Sequence, residues 1–238
     1  MTTEYAMTGQ YGMTGQYATT ASATPGYATA PGRFLLLHGW QHHRPAGHWQ
    51  RWLTDRLTAV GHTVRYPQLP DPDEPDLEHW LAELRAHVGE LSGGEGRRTV
   101  ICHSLGCLLW LHAVARDAVP VPVDRVLLVA PPAPEFVQQH PRIAEFGPLP
   151  TLAGRLRAAA SHTRIVGSDD DPCCPRGAAA TYGDPLGLPT DVLPGAGHLD
   201  LAAGYGPWPE LLAWAREAEA TALGAGARVL RSRHEIQQ

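Results

Sequence analysis

The chain has 238 residues, enough for one ordinary-to-large domain, and 43% of them are hydrophobic, so it can bury a sizeable core. Its 19 basic and 24 acidic residues give a formal charge of −5, which disfavours nucleic acid and anionic membrane as partners. All of the basic residues are arginine; the absence of lysine excludes Schiff-base, pyridoxal and P-loop lysine chemistry.

Residues 1–32 contain one charged residue, Glu4, and a six-residue period that begins at Tyr5: YAMTGQ, YGMTGQ, YATTAS and a broken YATAPG. Gly, Thr, Ala and spaced Tyr bury too little apolar surface to offset chain entropy, so this segment is predicted to be a disordered tail. It lacks both a positive stretch and an apolar stretch of the kind that marks a secretory leader.

From Arg33 onward, short apolar runs alternate with helical patterns. The runs are Phe34–Leu37, His62–Tyr66, Thr99–Cys102, Val126–Ala130, Thr163–Val166 and Asp191–Leu193. Trp49, Trp52, Leu53, Arg56, Leu57 and Val60 share one helical face, which Gly61 ends. Leu77, Trp80, Leu81, Leu84 and Val88 repeat the device; further helices are predicted over Leu105–Val119 and Pro207–Thr221. Strands alternating with helices predict a single doubly wound, mostly parallel α/β sheet of six strands over residues 33–221. The remaining residues 222–238 read as a flexible tail. No apolar stretch approaches the length of a membrane span. The four cysteines, Cys102, Cys107, Cys173 and Cys174, show no C-x-x-C spacing, and they read as reduced thiols in a cytoplasmic setting.

The segment Thr99-Val100-Ile101-Cys102-His103-Ser104-Leu105-Gly106 runs from an apolar strand straight into an apolar helix. A serine on so tight a turn projects from the carboxyl edge of the sheet, and the crowded backbone requires small residues two positions either side. Gly106 meets that need. Cys102 replaces the first glycine of the G-x-S-x-G pattern. A serine hydroxyl needs a base, and in this arrangement an acid and then a histidine follow in loops after later strands. Gly167-Ser168-Asp169-Asp170-Asp171-Pro172 follows the fifth run, and Gly195-Ala196-Gly197-His198 the sixth. Asp171, held extended by Pro172, is the preferred partner of His198, with Asp170 second. Asp169 and Asp170 are expected in a local turn. The backbone N–H groups of Leu105 and of Trp40, which follows the tight turn at Gly39, are the candidate oxyanion donors. The chemistry calls for no cofactor and no metal.

Four stretches carry a resemblance: LLLHGW with GHWQRWL, the Leu69-Pro70-Asp71-Pro72 turn, CHSLG, and VGSDDDP with GAGHLD. Residues 33 to about 215 resemble compact α/β-hydrolases of the retinoblastoma-binding-protein-nine or YdeN type. The resemblance implies a small cytosolic serine hydrolase without a large cap, with Ser104, Asp171 and His198 as its triad. Small carboxylic esters are the expected substrates, with amides or thioesters of the same class. A catalytically weak module of the same fold that binds a protein is the rival reading; three roles kept in order argue against it.

Four histidines, His38, His42, His43 and His48, lie close together. They read mainly as a solvated loop, with pocket lining and a zinc site as alternatives. Cys102 and Cys107 read as core thiols. The stretch 131–162 is long enough for a flap but not for a lid domain, which predicts an open pocket of modest size.

Overall fold

The six apolar runs form one sheet. In the computed structural model, which describes residues 31–217 except 148, 150 and 153, the strands are β1 (Arg33–Leu37), β2 (Thr63–Arg65), β3 (Arg98–His103), β4 (Val123–Val129), β5 (Ala160–Ser168) and β6 (Thr190–Leu193). Their order is β2-β1-β3-β4-β5-β6, and every neighbouring pair is parallel. Leu35, Leu36 and Leu37 of β1 are fully buried in succession, because a parallel sheet is covered on both faces.

The helices are α1 (Trp49–Ala59), α2 (Leu77–Glu90), α3 (Leu105–Ala115), α4 (Pro134–Gln138), α5 (Arg155–Ala159), α6 (Asp184–Leu186) and α7 (Pro209–Arg216). One core layer joins α2, α3 and α5 to the sheet. The other joins α1 and α7 to it through Trp49, Leu53, Trp208 and Leu211. Every residue of α3 is buried, which explains why its sequence is apolar all round.

Several boundaries differ from expectation. The third helix stops at Ala115 rather than Val119. Asp117 takes φ 54°, its N–H donates to the Val114 carbonyl, and the Ala118 N–H donates to the Ala113 carbonyl, so a Schellman cap closes the helix ahead of Pro120. The fourth predicted helix begins at Pro209, and its expected end beyond residue 217 lies outside the described residues, as do residues 1–30 and the C-terminal tail. Gly32, at the end of the expected N-terminal tail, is buried and donates its N–H to His62 Nδ1 at 2.9 Å. On α1 the buried face is Trp49, Gln50, Leu53 and Leu57, whereas Val60 is 51% exposed. Periodicity alone could not place Gln50 inward. Its amide donates to the Leu37 carbonyl at 2.9 Å and accepts from the Tyr66 hydroxyl at 3.2 Å. In the 131–162 stretch, α4, a 3₁₀ turn over Pro141–Phe146 and α5 pack down onto α3. There the Phe146 carbonyl accepts a hydrogen bond from His112 Nε2 at 3.1 Å, and the Phe146 ring meets Trp80 edge-on.

Candidate active site

Parallel strands all point their carboxyl ends one way, and loops from those ends meet over one edge. At the end of β3 the chain turns at once into α3, and Ser104 takes φ 52°, ψ −125°. An L-residue rarely adopts that conformation, so the surroundings must impose it. The Ser104 N–H donates to the Val129 carbonyl at 2.9 Å, which fixes the turn to β4. A Cβ on Gly106 would stand 2.6 Å from the His38 carbonyl oxygen and 2.9 Å from that of Leu37, so the helix start can rest on the end of β1 only as glycine. Cys102, in place of the first glycine, is fully buried between Leu37 and Leu128, and its side chain belongs to the core.

His198 reaches the serine from the loop after β6. Its Nε2 is 2.9 Å from Ser104 Oγ, and its Nδ1 is 2.9 and 3.0 Å from the two carboxylate oxygens of Asp171. A carboxylate accepts, so in the neutral ring Nδ1 carries the proton and Nε2 presents a lone pair to the hydroxyl. Burial works against a charged imidazole here. The hydrogen bond and charge of Asp171 outweigh it, with a further contribution from Cys173, and hold His198 above the ordinary histidine range.

The three aspartates separate by partner. Asp171 is 4% exposed and faces His198. Its Oδ1 also accepts the Cys173 N–H at 2.8 Å, so the expectation that Pro172 would keep it out of a local turn does not hold: it forms an Asx turn and faces the imidazole as well. Asp169 accepts the Gly195 N–H at 2.8 Å, and Asp170 accepts the Gly197 N–H at 2.7 Å. Buried Ser168 accepts the Ala196 N–H at 2.8 Å. Asp169, Ser168 and Asp170 thus pin three successive N–H groups just ahead of His198. The Ser168 hydroxyl and the Gly197 N–H hold the Asp170 carboxyl below its usual range.

The other predicted residues converge on the same edge. A Cβ on Gly39 would lie 2.7 Å from Ser104 Cβ, so the loop after β1 passes directly over the serine. His38 Nδ1 donates to the Gly39 carbonyl at 2.8 Å, and His38 Nε2 accepts the Leu69 N–H at 2.8 Å, which ties that loop to the turn after β2. The half-buried Trp40 donates from its indole to the Asp73 carbonyl at 3.0 Å and meets the His140 ring edge-on. As the first residue of α3, Leu105 carries one of the N–H groups that a helix cannot bond internally.

The solvated-loop reading of the histidines is overturned for three of the four. His38 and His48 are buried and His42 is half-buried; only His43 is exposed. His48 caps α1 by accepting the Gln50 N–H, which draws its ring inward. The rings of His42 and His48 lie 4.4 Å apart and those of His48 and His103 5.2 Å apart. His103, which no spacing pattern singles out, donates from Nε2 to the His198 carbonyl at 3.1 Å. Burial pushes His38 and His42 down to about 4 and His48 down to about 3.

A cavity of about 380 Å³ opens over Ser104 and His198, with Trp40, His42, His48, Phe136, Cys173 and Leu201 in its wall. Among the described residues a larger cleft, about 520 Å³, opens around Arg33, Arg97, Arg98 and Asp124, where β1 and β3 begin, at the opposite edge of the sheet.

A parallel six-stranded sheet flanked by helices, with a strained serine at the β3–α3 turn and an imidazole and a buried carboxylate from later loops beside it, defines an α/β-hydrolase. The family model described as serine hydrolase matches residues 34–216, and the chain belongs to that family. The chain is 26% identical over 143 residues to YdeN of Bacillus subtilis (strain 168), a match that spans 59% of this chain and 71% of that protein. The crystal structure of the ydeN gene product superposes with a TM-score of 0.64 at 21% identity, covering 77% of this chain and 96% of that one. A YdeN-like protein of Pectobacterium atrosepticum superposes at 0.57 with 24% identity, covering 77% and 88% of the two chains. An esterase domain from Rhodothermus marinus does so at 0.55 with 16% identity, covering 81% and 89%. These superpositions establish a shared fold.

Proposed function

We propose that this serine hydrolase cleaves small carboxylic esters through an acyl-enzyme on Ser104. The observation that carries the reading is the continuous hydrogen-bonded chain from Ser104 Oγ through His198 to Asp171, built on a backbone strained at the serine. Ser104 Oγ attacks the ester carbonyl while its proton passes to His198 Nε2. Asp171 holds the imidazole in the tautomer that can receive the proton and stabilises the imidazolium that results. The oxyanion takes hydrogen bonds from the N–H groups of Leu105 and Trp40, each such donor being worth about 2.7–4 kcal/mol in the transition state. His198 then returns the proton to the departing alcohol, and water repeats the sequence in reverse to release the acid.

A cavity of about 380 Å³ sits low in the range of small-ligand sites, and its walls are short loops and one short helix. That favours short acyl chains. Four free thiols accord with a cytoplasmic setting. The test is fluorophosphonate labelling with a chain-length series of p-nitrophenyl esters. The wild type should label and prefer short acyl chains. Ser104→Ala should neither label nor turn over, yet keep its melting temperature. Full labelling of the variant would remove Ser104 from the mechanism; a preference for long acyl chains would contradict the pocket reading.

A further inference from the structure

Cys173 occupies a place that the proposed hydrolysis does not use. Its N–H is bound to Asp171, its side chain reaches the wall of the cavity, and its thiol lies beside the imidazole. One carboxylate oxygen of Asp171, the Cys173 sulfur and one ring nitrogen of His198 all lie within 4.8 Å of one another. Thiolate, imidazole and carboxylate together are a donor set suited to zinc, whose bonds to them run about 2.0–2.3 Å in tetrahedral sites. The tight Asp171–Cys174 turn fixes this closeness: the Cys174 N–H donates to the Asp171 carbonyl at 3.1 Å, so residue 173 cannot drift from residue 171. Asp171 is buried, whereas Cys173 and His198 are only partly covered, so an ion entering through the cavity meets the thiol and the imidazole first.

We propose that Asp171, Cys173 and His198 form a zinc-binding site in which Zn²⁺ inhibits the hydrolase. The inhibitory half rests on the proposed role of His198; the binding half does not. Zn²⁺ takes one lone pair each from sulfur, nitrogen and oxygen, leaving its fourth position open to the cavity. As His198 Nδ1 takes the metal, the proton it shared with Asp171 moves to Nε2, and the thiol proton passes to the buffer, so binding weakens as pH falls. With its ring held by the metal, His198 cannot relay the proton of Ser104.

Two measurements separate the halves. Co²⁺ substitutes for Zn²⁺ as a spectroscopic probe and shows a sulfur-to-metal charge-transfer band only when a thiolate is bound. The wild type and Ser104→Ala should both show that band, and Cys173→Ser should not. Ester turnover with and without Zn²⁺ is then compared within each protein. Cys173→Ser should need at least about tenfold more Zn²⁺ for half-inhibition than the wild type, by analogy with the loss that even supporting residues of metal sites produce. Absence of the band in the wild type, or equal zinc sensitivity in Cys173→Ser, overturns the proposal. If the band appears and depends on Cys173 while no variant turns over ester, the zinc site stands and the hydrolytic reading falls.

Discussion

Asp171 turns inward while Asp169 and Asp170 turn toward the loop that carries His198. Like charges in sequence repel, and each carboxylate relieves that repulsion by finding its own donors: an imidazole N–H for Asp171 and loop N–H groups for the other two. The substitution Asp→Asn discriminates among these roles. An asparagine at 169 or 170 still offers a carbonyl oxygen to Gly195 or Gly197, so Asp169→Asn and Asp170→Asn should each lower kcat less than about tenfold. Asp171→Asn puts an amide against Nδ1 and favours the wrong imidazole tautomer, so kcat should fall on the order of 10⁴-fold with the fold intact. Steady-state kinetics on the three variants side by side decide the matter: if Asp170→Asn or Asp169→Asn is the crippled one, Asp171 is not the orienting acid. The sequence's preference for Asp171 agrees with its place beside His198, but the reason drawn from the D-P step does not hold, since Asp171 also folds into a local turn. The role of its neighbours was not legible, because a carboxylate bonded to backbone N–H groups nearly thirty residues away leaves no local pattern.

The loop after β1 and the turn into α3 fit each other at Gly39 and Ser104. A methyl group on Gly39 would press on Ser104 Cβ at 2.7 Å and Oγ at 3.1 Å, and neither atom belongs to a flexible chain end. Gly39→Ala should therefore shift the loop and carry the Trp40 N–H off the oxyanion. The expected loss is about 10²–10³ in kcat, the range for removal of one such donor, with about 1–3 kcal/mol of destabilisation from overpacking. Chemical denaturation and kcat measured together check this; an Ala variant with wild-type turnover would exclude Trp40 as a donor. β1, β3, β4 and the end of β5 were legible as short apolar runs, whereas β2, a Thr-Val-Arg strand with two exposed residues, and β6 were placed by the alternation of strands with helices. In the 131–162 stretch a short helix-like run and a helix back to the sheet were legible, but the 3₁₀ turn over Pro141–Phe146 and the bounds of α4 and α5 were not. Broken by proline and glycine and only five or six residues long, these segments show no sustained period, and they hold their shape by packing Ile143, Phe146 and Leu156 against α3.

At the scale of the whole molecule, the histidines do what sequence spacing could not reveal. His38 and His42 come from the loop after β1, His48 caps α1, and His103 ends β3, so one cluster of rings joins three elements beneath the site. Such a cluster is stable only while neutral, since burial penalises a charge on any of the rings, and that charge would also lie beside the other rings and, at His38 and His42, near Arg44. Folded His38 and His42 titrate near 4 and His48 near 3, while burial takes His103 well below the ordinary value; the unfolded chain binds protons on all of them from about 6.5. The folded pKa values are depressed, so this stability is complete above about pH 6.5 and is lost as pH falls toward 4. Each histidine adds up to about 1.4 kcal/mol per pH unit to the slope. His198 is shifted upward and is protonated in both states over that acid range, so it does not offset the loss; its own contribution disappears as pH rises above neutrality. Unfolding free energy from urea titrations at pH 6.5, 5.5 and 4.5 should fall steeply for the wild type. His48→Asn keeps a side-chain oxygen to cap α1 but cannot take up a proton. Whatever its starting stability, its slope between pH 6.5 and 4.5 should be shallower by about one proton, and an unchanged slope would mean that His48 is not held neutral in the fold.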